Sequence, residues 1–346
     1  MTINAGWTKG DHAYLLADSA VTRRRAPRTD QSNLGQRNQD DTGRAVEDGY
    51  GKLIRVGTHA VASICGDLAA ANAFVNELRE SHSDRGESLQ DAVERASTHA
   101  RELDAGAYRS LIATWDDGPR LYFTSSEDPL VRIEPDSVAT TGSLGDPHAR
   151  QLENMILSLP SRDPSDTLGA ALAAATVMGV QEDLISHNVG GAFFGVSVGP
   201  RGVCWQKDTI YLFFDPGESG EPPQNVHLMH CCVRDEVLAS YSTITSEFRA
   251  HIPHVVGRKQ EWDARWRPVL GVVERMFVAE RIALIPISGG ETLYAEGFDD
   301  VLRCSPNGGV LLREDLARYL TRTSWRESGV VLWPAADGEK LPALDS

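Results

Sequence analysis

A threonine stands directly behind the first methionine in "MTINAGWTKGDHAYLLADSAVT", and an Asp-Ser pair follows sixteen residues later. Threonine is small enough for a preceding methionine to be trimmed, which would leave Thr2 with a free α-amino group. One residue would then carry a hydroxyl nucleophile and an amine base. A hydroxyl attacks a carbonyl carbon poorly unless a base takes its proton. An α-amine, with a reference pKa of about 7.7–8.0, lies close to the working pH at which a general base is most effective. Two other stretches invite chemistry. "HLMHCC" offers His227, His230, Cys231 and Cys232 as metal donors, but on a strand His227 and Cys231 point to one face while His230 and Cys232 point to the other, so four ligands do not converge. "GYGKL" lacks the remainder of a phosphate-binding loop. No metal or organic cofactor is expected.

The elements that must position Thr2 follow from period and punctuation. Residues 2–17 read as strand, tight turn at "TKGD" and strand. Residues 23–49 hold six Arg and almost nothing apolar, and are expected to form a mobile loop that contributes little to folding. Strands resume at "KLIRV" and "AVASIC" and lead to helices over 68–79 and, behind a Ser88 cap, 89–103. The strands "SLIATW", "RLYFTS" and "SVATTG" precede a second helix pair over 148–157 and 167–181. Two closing strands, "GGAFFGVSV" and "GVCWQKDTIYLFF", complete the region. Two strand groups, each followed by a helix pair, predict an α+β fold with two stacked sheets covered by helices, a four-layer αββα sandwich. The Gly- and Pro-rich stretch 215–225 predicts a linker, dividing the chain into 1–215 and a C-terminal α/β extension at 216–346. That extension includes an amphipathic stretch, "EWDARW", the strand "RIALIPI" and the helical run "REDLARYLTRT".

Composition excludes several classes of function. A net charge of −15 over 346 residues repels nucleic acid and anionic membrane, so neither is an expected partner. Five cysteines without framework spacing fit a reducing compartment. With no apolar run of the roughly 18 residues a membrane span requires, a cytoplasmic protein is expected.

Taken singly, Thr2 is an ordinary strand residue, Asp18 a turn residue, Lys52 a solvated strand end and Ser143 a loop hydroxyl. Their order changes the reading. "TINAGWTKGDHAYLLADSAVT", "GKLIRVGTHAVASICGD", "TTGSLG" and "EDLISHNVGG" together resemble the proteasome β-type subunit family of N-terminal nucleophile hydrolases across residues 2 to 214. The separation of Lys52 from Gly66 also agrees with that family's spacing.

The resemblance implies roles. Thr2 Oγ would be the nucleophile, and Lys52 a cation that keeps the Thr2 amine neutral and favours developing negative charge. Asp18 would hold Lys52 charged and oriented, and the Gly66 N–H would face the oxyanion. Ser143, Asp183 and Ser186 would hydrogen-bond around the new N-terminus. Val21, Thr22, Ile64 and Leu68 would contact substrate, although sheet core explains each apolar one equally well. The implied activity is a threonine-type peptidase acting on peptides or polypeptides, assembled as a homo-oligomeric ring or related assembly, with an unfoldase or other protein as a further partner. Two alternatives stand beside it, a catalytically silent scaffold and a small-molecule amidase on the same chemistry. The sequence departs from the family in its long 23–49 insertion, in His187 where Gly is usual, and in the 216–346 extension. Because the catalytic set precedes the linker, the extension is expected to govern assembly or partner choice rather than chemistry.

Overall fold

The computed structural model describes residues 2–23, 31–34, 43–103, 106–143, 145–159, 163–182, 184, 189–215, 224–234, 236–245, 247–253, 280–287, 293–296, 302–304, 310–313 and 331–333. Strands β1 (Ile3–Lys9) and β2 (His12–Asp18) form a hairpin in which Lys9 faces His12. Gly10 takes φ 60° in the first loop position, as a type II′ turn asks. The chain continues through β3 (Ala20–Arg23), β4 (Ala45–Asp48), β5 (Tyr50–Gly51), β6 (Leu53–Gly57), β7 (Ala60–Ser63) and β8 (Cys65–Gly66). Helix α1 (Leu68–Arg79) follows, with Asp67 accepting from the Ala69 and Ala70 N–H groups, and then α2 (Leu89–Glu102), capped by Ser88.

Next come β9 (Tyr108–Trp115), β10 (Pro119–Ser125), β11 (Val131–Arg132) and β12 (Val138–Gly142). Helices α3 (Asp146–Ser158) and α4 (Pro164–Gln181) follow. The α4 helix starts three residues earlier than its apolar period suggests, because Asp163 caps it and Pro164 fits its first turn. Strands β13 (Phe193–Gly199), β14 (Gly202–Trp205) and β15 (Thr209–Asp215) close the first 215 residues.

The result is a mixed α/β protein. One sheet has the order β12-β1-β2-β13-β14, and a second has β11-β10-β9-β7-β6 with β8 paired to β9. Strand alternation assigns the faces. Ile3, Ala5, Trp7, Tyr14 and Leu16 cluster with Leu152, Leu168 and Leu172 of α3 and α4, and Trp7 stacks on Tyr14 at 5.0 Å between ring centroids. Ala13, Leu15 and Ala17 point the other way and share a cluster with Leu53, Val61, Leu111 and Leu121 of the second sheet. Ile54, Val56, Ala62 and Ile112, on the opposite face of that sheet, pack with Phe74, Val75, Leu78, Val93 and Ala96 of α1 and α2.

"GVCWQKDTIYLFF" is two strands rather than one. Gln206 ends β14 by accepting the Gly195 N–H through Oε1 at 2.7 Å and donating its own N–H to the Gly195 carbonyl at 3.0 Å. The chain then leaves for a third sheet. That sheet includes β16 (Gln224–Arg234), β17 (Val237–Ser242), β18 (Glu247–Pro253), β19 (Arg281–Pro286) and β20 (Leu293–Glu296). Its order is β20-β19-β15-β16-β17-β18-β5. The boundary expected at 215/216 therefore falls within a hairpin of one sheet, and β5 of the N-terminal region forms that sheet's edge. Strands β21 (Leu302–Cys304), β22 (Val310–Arg313) and β23 (Val331–Trp333) form a separate small sheet. "EWDARW" and "REDLARYLTRT" lie outside the described residues.

The expectation that 23–49 stands apart from the core needs correction. Its last residues form β4, which pairs with β3, and Val46 and Asp48 are buried. Ser32, Asn33 and Leu34 are buried too. Polar composition misleads here because Asp48 and Asn33 find hydrogen-bond partners inside the protein, which removes most of the penalty for burying them.

Among the described residues no helix is long and apolar enough to cross a membrane.

Candidate active site

The β1–β2 register sets Ile3 level with Asp18, and the Ile3 N–H donates to Asp18 Oδ1 at 3.0 Å. The β1–β12 register does the same on the other side. Ile3 faces Gly142, and the next residue, Ser143, donates its N–H to the Thr2 carbonyl at 2.8 Å. The Thr2–Ile3 peptide is therefore held from both neighbouring strands, through the Ile3 N–H on one side and the Thr2 carbonyl on the other, and Thr2 is buried. Gly142, at φ 126°, lies so close that a Cβ there would stand 1.7 Å from the Thr2 carbonyl oxygen. Only glycine permits this approach.

Lys52 follows β5 directly and reaches inward. Its Nζ donates to Asp18 Oδ1 at 2.6 Å and to the Ala20 carbonyl at 2.5 Å, with Lys52 and Asp18 exposing 1% and 0% of their side chains. Asp18 Oδ2 accepts from Gly190 N–H at 3.0 Å and from Ala20 N–H at 3.3 Å. A buried ion pair is tolerated when further hydrogen bonds satisfy its charged groups, and here each Asp18 oxygen accepts two while Nζ donates a second to the Ala20 carbonyl. Burial pushes the Lys52 pKa down from its ordinary 10.5, against the opposing pull of Asp18.

Gly66 is exposed and takes φ 101°, and a Cβ there would meet the Ala107 carbonyl oxygen at 2.3 Å. Its neighbour Cys65 is buried, with Sγ 3.5 Å from the Arg109 carbonyl and 3.7 Å from Thr141 Oγ1. Burial raises the Cys65 thiol pKa, with Thr141 and Lys52 opposing. Ser143 is exposed.

The residues expected to contact substrate divide by burial. Val21 and Ile64, exposed by 4% and 1%, belong to the apolar cluster beneath α1, while Leu68 and Thr22 are part-exposed. Asp183, Ser186 and His187 lie outside the described residues. In "HLMHCC", strand β16 carries Cys231 in the apolar core, and burial drives the Cys232 pKa up to about 12 and the His230 pKa down to about 3. Among the described residues no three metal-binding side chains gather.

Sequence reasoning missed Gly142, the Gly190 N–H and the Ala20 carbonyl, all of which act through the backbone. The two glycines left traces in "TTGSLG" and "NVGGAFF". The Ala20 carbonyl left none.

No family model matches this chain, and no curated protein matches it. A solved structure titled "Crystal structure of eukaryotic HslV from Trypanosoma brucei" is similar over 57% of this chain and 99% of its own, with 16% identity and a TM-score of 0.40. A likeness that low carries no argument about chemistry.

Proposed function

We propose that the chain is a threonine-type N-terminal nucleophile hydrolase acting on amide bonds, in which the first two sheets and their helices, within residues 1–215, stack as a four-layer αββα sandwich. The observation that supports it best is the buried Lys52–Asp18 pair, whose carboxylate also holds the N–H of the residue that follows Thr2. Once Met1 is removed, the Thr2 amine takes the proton from its own hydroxyl and Oγ attacks the carbonyl carbon. The Lys52 cation disfavours a second positive charge on that amine and stabilises the charge that develops at the reacting centre. The Gly66 N–H is the proposed oxyanion donor. The protonated Thr2 amine then gives that proton to the leaving nitrogen as the tetrahedral intermediate collapses, which expels the substrate amine and leaves an ester on Thr2; water then attacks the ester, releasing the acid and returning the proton to Thr2 Oγ. Ser143, Asp183 and Ser186 are the proposed supports of the free N-terminus.

Peptides or polypeptides are the first substrate class, with Val21, Thr22, Ile64 and Leu68 as contacts. The burial of Val21 and Ile64 beneath α1 reduces the apolar wall available to a side chain, which favours a small-molecule amide as the second reading. Assembly into a homo-oligomeric ring in the cytoplasm, with a partner engaging residues 216–346, completes the proposal. Intact mass before and after exposure to a small β-lactone tests the chemistry. The expected result is a chain lacking Met1 that gains one adduct, mapped to Thr2. A chain that keeps Met1 when isolated from its natural host would refute the hydrolase.

A further inference from the structure

A second buried carboxylate lies close behind the first. Asp48, on β4, accepts hydrogen bonds from Ser19 Oγ and, at 2.9 Å, from the Asn33 N–H. Two groups of β18 also reach it: Arg249 Nη1 donates to Oδ2 at 3.4 Å, and His251 Nδ1 lies 3.4 Å from Oδ1 without hydrogen-bond geometry. Arg249 donates from Nη2 to the Gln31 carbonyl at 2.7 Å as well. One carboxylate therefore gathers residue 19, the 31–34 segment and a strand from beyond residue 216.

The arrangement also contains a hydroxyl, an imidazole and a carboxylate in series. Ser240 Oγ is 2.7 Å from His251 Nε2, and Asn33 Nδ2 donates to Ser240 Oγ at 3.0 Å. Ser240 and His251 expose 1% and 0% of their surface, so no substrate reaches the hydroxyl, and burial holds His251 neutral with a pKa lowered to about 4. The series is a brace rather than a nucleophile.

What it braces is the candidate active site. Ser19, held by Asp48, is the covalent neighbour of Asp18, and its Oγ accepts the Ala192 N–H at 2.9 Å. The same turn supplies the Gly190 N–H to Asp18. Between them Gly191, at φ 75°, passes so close that a Cβ would stand 2.4 Å from the Asp48 carboxyl group and 2.6 Å from Ser19 Oγ. On the Lys52 side, β5 pairs with β18, with Tyr50 opposite Ile252 and Gly51 opposite Pro253. Lys52 is the next residue. Each member of the Lys52–Asp18 pair is thus one residue from a point fixed to the third sheet.

We propose that Asp48, Arg249 and His251 are positioning residues for the Thr2 reaction, through which strand β18 holds Asp18 and Lys52 in their reactive arrangement. This deepens the hydrolase reading and rests on it. It also revises the expectation that chemistry is independent of the residues beyond 216. Misplacing a reacting group by about an ångström costs about a hundredfold in rate.

The test uses the full-length chain, with β-lactone labelling of Thr2 followed by intact mass and resolved into a maximal rate and a half-saturating concentration. Asp48→Asn and Arg249→Met should each lower the maximal rate by about tenfold to a hundredfold. The half-saturating concentration should change by less than about threefold, since the substrate contacts are untouched. Arg249→Lys should restore part of the rate, because an ammonium reaches one of the two acceptors but does not span both. Hydrogen exchange at the Ile3, Ala20 and Gly190 amides, all bonded to Asp18, should quicken in both impaired variants. If Asp48→Asn does not fold, the two Arg249 variants carry the test. Wild-type labelling rates with unchanged exchange would overturn the brace. If wild-type protein is never labelled at Thr2, the hydrolase reading fails instead. Exchange then decides alone, with quickened Asp18-bonded amides retaining the brace and unchanged ones ending it.

Discussion

Acidification should destabilise this protein through two histidines that belong to no proposed chemical step. Burial lowers the His251 pKa to about 4, with Asp48 opposing and Arg249 reinforcing, and lowers the His230 pKa to about 3, with Arg234 reinforcing. Both values lie below the ordinary 6.5, so the unfolded chain binds these protons more readily than the folded one. The associated stability is present in full above about pH 6.5 and is lost as pH falls toward 4 and 3. At one pKa unit to 1.36 kcal/mol, each histidine forfeits about 2 kcal/mol by about pH 5, or about 4 kcal/mol together. Against a total stability of about 5–15 kcal/mol this is a large loss. Urea unfolding followed by tryptophan fluorescence at about pH 7.5 and about pH 5 measures it. His251→Asn and His230→Gln should each be less stable than wild type at the higher pH, and each should show a difference between the two pH values smaller by about 2 kcal/mol. Carboxylate titrations common to all three proteins cancel in that comparison. A wild-type difference retained in full by both variants would refute the assignment of these groups.

Three further outcomes concern the site itself, and a fourth the exposure of the cysteines. Lys52→Ala should suppress Thr2 labelling by orders of magnitude, as loss of a positioned charge in a dry site does; labelling at the wild-type rate removes Lys52 from the chemistry. In the wild type the reaction needs the Lys52 cation, so its alkaline limb should fall at a pH below 10.5, in the direction that burial shifts this group, and a rate constant up to that pH would contradict the assignment. Gly142→Ala must displace the Thr2 carbonyl or the strand beside it, since its Cβ would lie 1.7 Å from that oxygen at φ 126°. A stability loss of about 1–3 kcal/mol is expected from the backbone strain alone, and an unchanged melting curve with full labelling would show that the approach is looser. Of Cys65, Cys204, Cys231 and Cys232, only Cys204 is exposed, so alkylation of the folded protein at mild pH should mark Cys204 before the other three. Equal early modification of Cys65 would reverse the burial argument.

The sequence alone determined the local elements, because short-range physics writes them. The apolar spacing of residues 70, 71, 74, 75 and 78 makes α1 amphipathic, Asp67 and Ser88 cap helices with their own side chains, and Gly10 supplies the turn that sets Ile3 level with Asp18. Thr2, Asp18 and Lys52 are singled out in the sequence only through the family that the motifs carrying them resemble, and the structure brings Lys52 against Asp18 and the Thr2–Ile3 peptide against both neighbouring strands. What the tertiary structure decided was everything that depends on partners distant in sequence. The pattern of β15 is that of any buried strand, and only the pairing with β16 and β19 shows that it leaves the first two sheets. Asp48 and Asn33 read as loop residues because composition records a polar group's burial cost but not the partner that offsets it; those partners, Ser240, Arg249 and His251, lie some 200 residues away. Lys52 likewise looks like a solvated strand end until Asp18, the Ala20 carbonyl and the exclusion of water turn it into a buried cation with a lowered pKa. Hydrophobic period is a property of a segment, whereas the satisfaction of a buried charge is a property of the assembled fold.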